Sequence, residues 1–329
     1  MSVETANRLR CFCSKCIDFH THFLQLDVFN ACQPHSVSSC FGRVSWPLDM
    51  PVMQRMFNPE LQIQDMDQRG IDANVLTSAD VMQSRAWASP DEERRMTAIV
   101  NEECARWVDA YPGRFIGSAV LPLGDMRMAL AGVEEAVSAG LEVINLPSNY
   151  RGDYLGHARF TDLFATIEDR NLIVFMHPEG TPDMWFQNYA LWNSIGQSIE
   201  EVKVMSSLIY EGVIDRFPRL KLVMAHGGGY MPHYMGRLDR NVTDKPFTAK
   251  NLTKKPSEYL SDFYYDSCVY DPRTLEILIE RVGADRVLLG GDYPAATLDP
   301  IDFLDQVRVS DVDRAKIAGG TAVELLGLA

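Results

Sequence analysis

The sequence predicts an α/β fold, a (β/α)8 TIM barrel, on three observations. Short apolar runs alternate with helical patterns along nearly the whole chain, eight such strand–helix pairs follow one another, and no repeat, low-complexity tract or linker divides them. A doubly wound parallel sheet is the structural alternative, but that fold rarely needs eight regular units. A chain of 329 residues fits one barrel undivided, and 46% hydrophobic residues can fill its core.

The elements follow in order. "CIDFHTHF" (16–23) reads as the first strand, and a loop-rich insertion with Pro34, Gly42, Pro47 and Pro51 spans 24–58. "PELQIQDMDQRG" (59–70) is an amphipathic helix stopped by Gly70, and "IDANVLT" (71–77) is the second strand. A long helix covers 89–112, with Ser89 as N-cap and Pro90 at its first position. Strand 114–121 then leads to helix 125–139, strand 141–147 to helix 160–170, and strand 171–177 through a polar and aromatic insertion (178–196) to helix 197–217. Strand 220–226 precedes helix 230–241, strand 263–267 precedes helix 272–283, and strand 286–292 closes the series before helices across 300–327. Residues 1–16 read as an N-terminal extension and 17–329 as a single domain.

Composition narrows the function. The net charge is −14, from 31 basic and 45 acidic residues, and no Lys/Arg block stands out, which argues against a nucleic-acid partner. An anionic substrate needs a local cationic pocket set against this field. No run of about 18 apolar residues suggests a membrane helix. The opening "MSVETANRLRCFCSKC" lacks the apolar region of a signal peptide, so a cytoplasmic location is expected, with the seven cysteines mostly reduced thiols.

In a barrel of this kind, functional groups sit at the C-terminal ends of strands. His20 and His22 end the first strand, His177 the fifth, His226 the sixth, and Asp292 follows the eighth. Imidazole nitrogens and a carboxylate suit zinc, iron or manganese. Period-two alternation points His20 and His22 the same way, so both rings can serve one ion. An H-x-H pair alone is a weak signal, and a single strand-end histidine is usually a hydrogen-bonded structural residue. Four of the seven histidines at such places, with Asp292, make a strong one. His35 and His157 read as surface residues and His233 as an edge-of-site candidate. Cys11, Cys13 and Cys16 include a C-x-x-C, but no second C-x-x-C supplies the remaining zinc ligands. They read as bystanders, with Cys16 buried at the start of the first strand.

"IDFHTH", "PELQIQDMDQRGI", "HP" at 177–178, "GVIDRFPRLKLVMAHGGGYMP…GRLDR", "LLGGDYP" and "LLGLA" together resemble the amidohydrolase superfamily, in the branch typified by 2-amino-3-carboxymuconate-6-semialdehyde decarboxylase. The resemblance runs from about residue 17 to 329. It implies a distorted barrel and one divalent ion, usually zinc with manganese or iron as alternatives, held by His20, His22, His177 and Asp292. It implies that His226 is an acid/base beside the metal, with Asp292 also catalytic. It implies that Arg237 reaches the site of a neighbouring subunit in a homodimer to bind substrate carboxylate, and that Trp192 lies near the pocket. Strand "LEVINLP" carries Asn145 and no lysine, which fits a single ion rather than two. The sequence departs from the type decarboxylase in "MPVMQRMFNPE", where a methionine takes the place of a substrate-binding arginine and Arg55 is offset by two. "AAT" after "DYP" and the 178–196 insertion also differ. The implied activity is non-oxidative decarboxylation of a carboxylated aromatic acid or ring-cleavage product. A metal-dependent hydrolase or hydratase is the second reading, and an inactive binding subunit the third.

Overall fold

Strands Ile17–Phe23 (β1), Ala73–Ser78 (β2), Phe115–Ile116 (β3), Ser118–Val120 (β4), Val143–Leu146 (β5), Ile173–Met176 (β8), Lys221–Met224 (β9), Phe263–Asp266 (β10) and Val287–Leu288 (β11) pair in parallel, in the computed structural model of the chain. A small antiparallel hairpin, Asn149–Tyr150 (β6) and Asp153–Tyr154 (β7), stands apart. The structure describes residues 15–35, 47–78, 85–178, 181 and 183–328. Cys11 and Cys13 lie outside them.

The parallel strands form two ladders, β1-β2-β3 and β11-β10-β9-β8-β5-β4, where one closed ring was expected. The break falls at Gly117, inside the predicted strand 114–121. There β3 pairs with β2 and β4 pairs with β5. A Cβ at Gly117 would collide with the Leu141 side chain, and a side-chain-free position lets the chain turn from one sheet to the other. Beyond the ladders, the amide of Phe19 donates to Leu289 O at 2.8 Å and that of His22 to Tyr293 O at 2.6 Å. These bonds tie β1 to the segment after β11.

Helices cover the sheets. Pro59–Arg69 ends at Gly70 in a left-handed cap, and Pro90–Ala110 begins with a capping box formed by Ser89 and Glu92, as the sequence indicates. The insertion after β1 is more regular than expected. It contains helices Leu26–Cys32 and Pro51–Phe57, both short and therefore weak in periodicity, while residues 36–46 fall outside the described ones. The predicted helix 197–217 is two helices. Gly212, at φ 73°, separates Gln197–Tyr210 from Val213–Arg216. The predicted helix 230–241 is a short turn at Met231–His233 followed by Met235–Asp244.

Alternate residues of the strands divide the core. Ile17, Phe19, Ala73, Val75, Val143, Phe175, Val223 and Leu288 form an inner cluster, joined by Ala322 and Leu325. A larger cluster fills the space between sheets and helices. The strands are buried on both faces, as parallel sheets require.

One irregularity positions the site. Ile17 pairs with Ala73 and Asp18 with Asn74, but Thr21 pairs with Leu76 and His22 with Thr77, so β1 holds one extra residue between Asp18 and Thr21. Such a bulge reverses which side chains face inward. Before it, Ile17 and Phe19 enter the inner cluster. After it, His22 lies opposite Thr77 on the inner face, and Phe23 packs outward.

Candidate metal centre and active site

The five residues expected at strand ends meet at one place. His20, His177, His226 and Asp292 each offer a ligand atom within 4.8 Å of all the others. His22 joins them, its Nε2 lying 3.2 Å from His20 Nε2 and 3.1 Å from Asp292 Oδ1. His20, His22 and His177 are fully buried.

Each imidazole is held by its Nδ1. His20 donates to Asp266 Oδ2 at 2.5 Å, and Asp266 also accepts the amides of Gly227 and Cys268. His22 donates to Thr77 Oγ1 at 3.0 Å, since that hydroxyl gives its own hydrogen to Thr21 O. His177 donates to Pro178 O at 2.8 Å, and His226 to Glu201 Oε1 at 2.5 Å. These partners assign the tautomers and leave every Nε2 turned away from its anchor, as ligating imidazoles are arranged.

Electrostatics agree. Burial lowers the basicity of His22, and burial with three neighbouring imidazoles lowers that of His177 further, so both favour the neutral form, which leaves a lone pair on Nε2. Burial alone would raise Asp266 and Asp292, but His20 holds the first below the ordinary carboxylate range, and His22 and His20 hold the second well below it. Burial also opposes charge on His226, but Glu201 outweighs it and lifts the ring to about 10. Nitrogen lone pairs crowded at 3.2 Å beside a carboxylate oxygen are a donor set that fits a divalent cation.

A cavity of about 400 Å³ opens over this cluster, lined by His226 and Asp292 on one side and by Asn193, Gln197, Tyr230, His233 and Tyr270 on others. Among the described residues no Lys or Arg lines it. Two site residues adopt left-handed backbone: His226 at φ 48° and Asp292 at φ 49°. The glycines after His226 allow the close packing there. Gly227 and Gly228 have φ 60° and 73°, and a Cβ on Gly227 would come within 2.5 Å of Val269 Cγ1.

The remaining candidates fall around this centre. Trp192 is 9% exposed in the turn Trp192–Gly196, beside the cavity residue Asn193. Arg55 is engaged elsewhere: its Nε donates to Asp65 Oδ2 at 2.6 Å, and Asp65 also accepts the Tyr293 hydroxyl at 2.8 Å. Arg237 is exposed on Met235–Asp244 and does not line the cavity. His35 and His157 are exposed, and His233 lines the cavity, as expected. Cys16 is buried just before β1 and gives its amide to Asp72.

Four contributors were not singled out from sequence: Thr77, Glu201, Asp266 and Tyr270. Asp266 ends β10, the same kind of position that flagged the histidines, so a signal existed. Glu201 is one of two adjacent glutamates on the helix Gln197–Tyr210, and Tyr270 lies in a loop; neither has a distinguishing pattern.

The chain is similar to several decarboxylases. A 2-amino-3-carboxymuconate-6-semialdehyde decarboxylase from Dictyostelium discoideum is 28% identical over 334 residues, covering 95% of this chain and 91% of its own. A gamma-resorcylate decarboxylase from Polaromonas is 28% identical over 294 residues, covering 82% and 88%. The crystal structure of 5-carboxyvanillate decarboxylase LigW from Sphingomonas paucimobilis is similar with a TM-score of 0.85 at 27% identity, covering 94% of this chain and 98% of that one. A dihydroxybenzoic acid decarboxylase from Polaromonas, solved with manganese and 2-nitroresorcinol, shares the fold with a TM-score of 0.81 at 22% identity, covering 95% and 97%. Residues 17–328, the span that contains every histidine and carboxylate of the centre, match the amidohydrolase family, and to that family the chain belongs.

Proposed function

We propose that this protein is a metal-dependent, non-oxidative decarboxylase of a carboxylated aromatic acid or a muconate-semialdehyde-like ring-cleavage product. The observation that carries the reading is the His226–Glu201 pair, opening beside Asp292 onto one cavity. The relatives described above are decarboxylases that share most of the chain.

In this reading His20, His22, His177 and Asp292 hold one divalent ion, with zinc the expected metal and manganese the one bound by the Polaromonas enzyme. When bound, such an ion would supply Lewis acidity to a substrate oxygen and so make the carbon that bears the carboxylate electron-poor. The bond to the carboxylate breaks, its electron pair stays on that carbon, CO2 leaves, and the carbon takes one proton. His226 supplies this proton, and Glu201 at its Nδ1 stabilises the charged ring before transfer. Solvent returns the proton through the cavity.

Among the described residues the cavity lining holds no Lys or Arg that could pair with a carboxylate, which supports a role for Arg237 of a second copy in binding it. The exposed Tyr234 and Phe247, 66% and 77% accessible and near Arg237 in sequence, fit a covered face in a homodimer. Trp192 is read as the pocket's aromatic contact; Arg55, held by Asp65, would have to leave that ion pair to serve as a second basic contact. The bonds from β1 to residues 289 and 293 support a distorted (β/α)8 barrel, with residues 17–329 as one domain after the extension 1–16.

The test is CO2 release from carboxylated phenols and muconate semialdehydes by the manganese- or zinc-loaded protein. Stoichiometric CO2 and the decarboxylated product are expected. A product that has gained the elements of water, with no CO2, overturns the reading in favour of a hydrolase or hydratase.

A further inference from the structure

Asp292 has its two oxygens in different surroundings. Oδ1 lies 3.1 Å from His22 Nε2 and 3.5 Å from His20 Nε2. Oδ2 accepts a hydrogen bond from the Tyr270 hydroxyl at 3.0 Å. Both residues line the cavity.

Packing does not explain why a tyrosine stands there. Tyr270 is 54% exposed, and its backbone is left-handed at φ 56°. For a bulky residue that conformation is strained. The turn precedes Asp271, the N-cap of the helix Pro272–Val282, and if it needed only a positive φ, glycine or asparagine would meet that need with less strain. What tyrosine adds is a hydroxyl at the end of a long, stiff side chain, and that hydroxyl reaches Asp292.

We propose that Tyr270 is a positioning residue for Asp292: its hydroxyl holds Oδ2 so that Oδ1 stays presented to the imidazole cluster. A carboxylate gripped by only one oxygen can turn about its terminal bond, because that torsion is broad. The Tyr270 bond removes this freedom from the outer side, which is otherwise the open cavity. The role rests on the metal centre proposed above, and the test separates the two.

The experiment titrates the metal-stripped full chain with Mn2+ against a chelating indicator. Wild type, Y270F, D292N and the double variant are compared. Y270F, which keeps the ring, is expected to weaken Mn2+ binding by about 10–100-fold. In the D292N background the same substitution is expected to change affinity by less than about threefold, because two residues acting through one contact are not additive. Y270N, which relieves the backbone and lacks the reach, is expected to raise the melting temperature while weakening Mn2+ binding. A purely structural tyrosine would lose stability instead. Wild-type affinity in Y270F, or an undiminished loss in the D292N background, overturns the proposal. Wild-type protein that binds no Mn2+ overturns the metal centre itself.

Discussion

Glu201 and His226 come from different elements, a helix and the end of a strand, and their side chains meet at 2.5 Å below the cavity. The carboxylate is fully enclosed, so its charge acts on the ring with little screening. Glu201→Gln keeps the shape and removes the charge. It is expected to lower kcat by about 10–100-fold while bound metal per chain stays at the wild-type level. His226→Ala is expected to cost about 10²–10⁴-fold in kcat, again with metal retained. Steady-state kinetics with elemental analysis on the same samples checks both. An unchanged kcat removes His226 from the acid/base role.

Among the described residues His177 is anchored through Pro178 O, and its Nε2 faces the shared centre. His177→Ala is expected to leave far less than stoichiometric metal after purification, and His22→Ala likewise. Elemental analysis decides. Full occupancy in His22→Ala, together with loss in His226→Ala, would exchange those two residues in the ligand set.

Arg237 is exposed in a single chain. If it completes a neighbour's site, Arg237→Ala and His226→Ala should each be inactive alone, and mixing them under conditions that exchange subunits should restore activity. Each mixed dimer would then hold one intact site. Full activity of a monomeric Arg237→Ala protein would exclude the shared site.

Stability at low pH has a predictable component at Glu276. The guanidinium and amide of Arg308, with Arg273 beside them, hold this carboxyl at about 2, down from an ordinary 4.5. A depressed folded value means that the charged form favours the fold. The contribution is complete above the unfolded value near 4.5 and is lost as pH falls towards 2. The melting temperature of wild type should exceed that of Glu276→Gln at pH 7, and the gap should close between pH 5 and 2. A constant gap across that range would show that the charge is not involved.

Much of the site is legible in the sequence because its chemistry is concentrated. Histidines are few, and His20, His22, His177 and His226 each end an apolar run, so strand direction alone brings them together. Asp292 follows the same rule. The supporting groups follow no such rule. Glu201 and Thr77 resemble many other polar residues, and only the folded distances single them out. The fold shows the same division. Long elements such as Pro90–Ala110 carry caps and periodicity, whereas the seven-residue helices after β1 and the split at Gly117 depend on tertiary packing.

The extra residue in β1 makes the site sensitive to length more than to composition. Inserting one residue between Asp18 and His20 would leave both imidazoles in the chain and both in the strand, yet would move His22 from Thr77 to Ser78 and send both rings to the helix-facing side. Point substitutions along β1 change one contact at a time; a single-codon insertion there would dismantle the centre without altering any of its chemistry. Loop grafting and recombination among related barrels should therefore take their crossovers outside Ile17–Phe23, so that the count of residues before His20 is inherited intact.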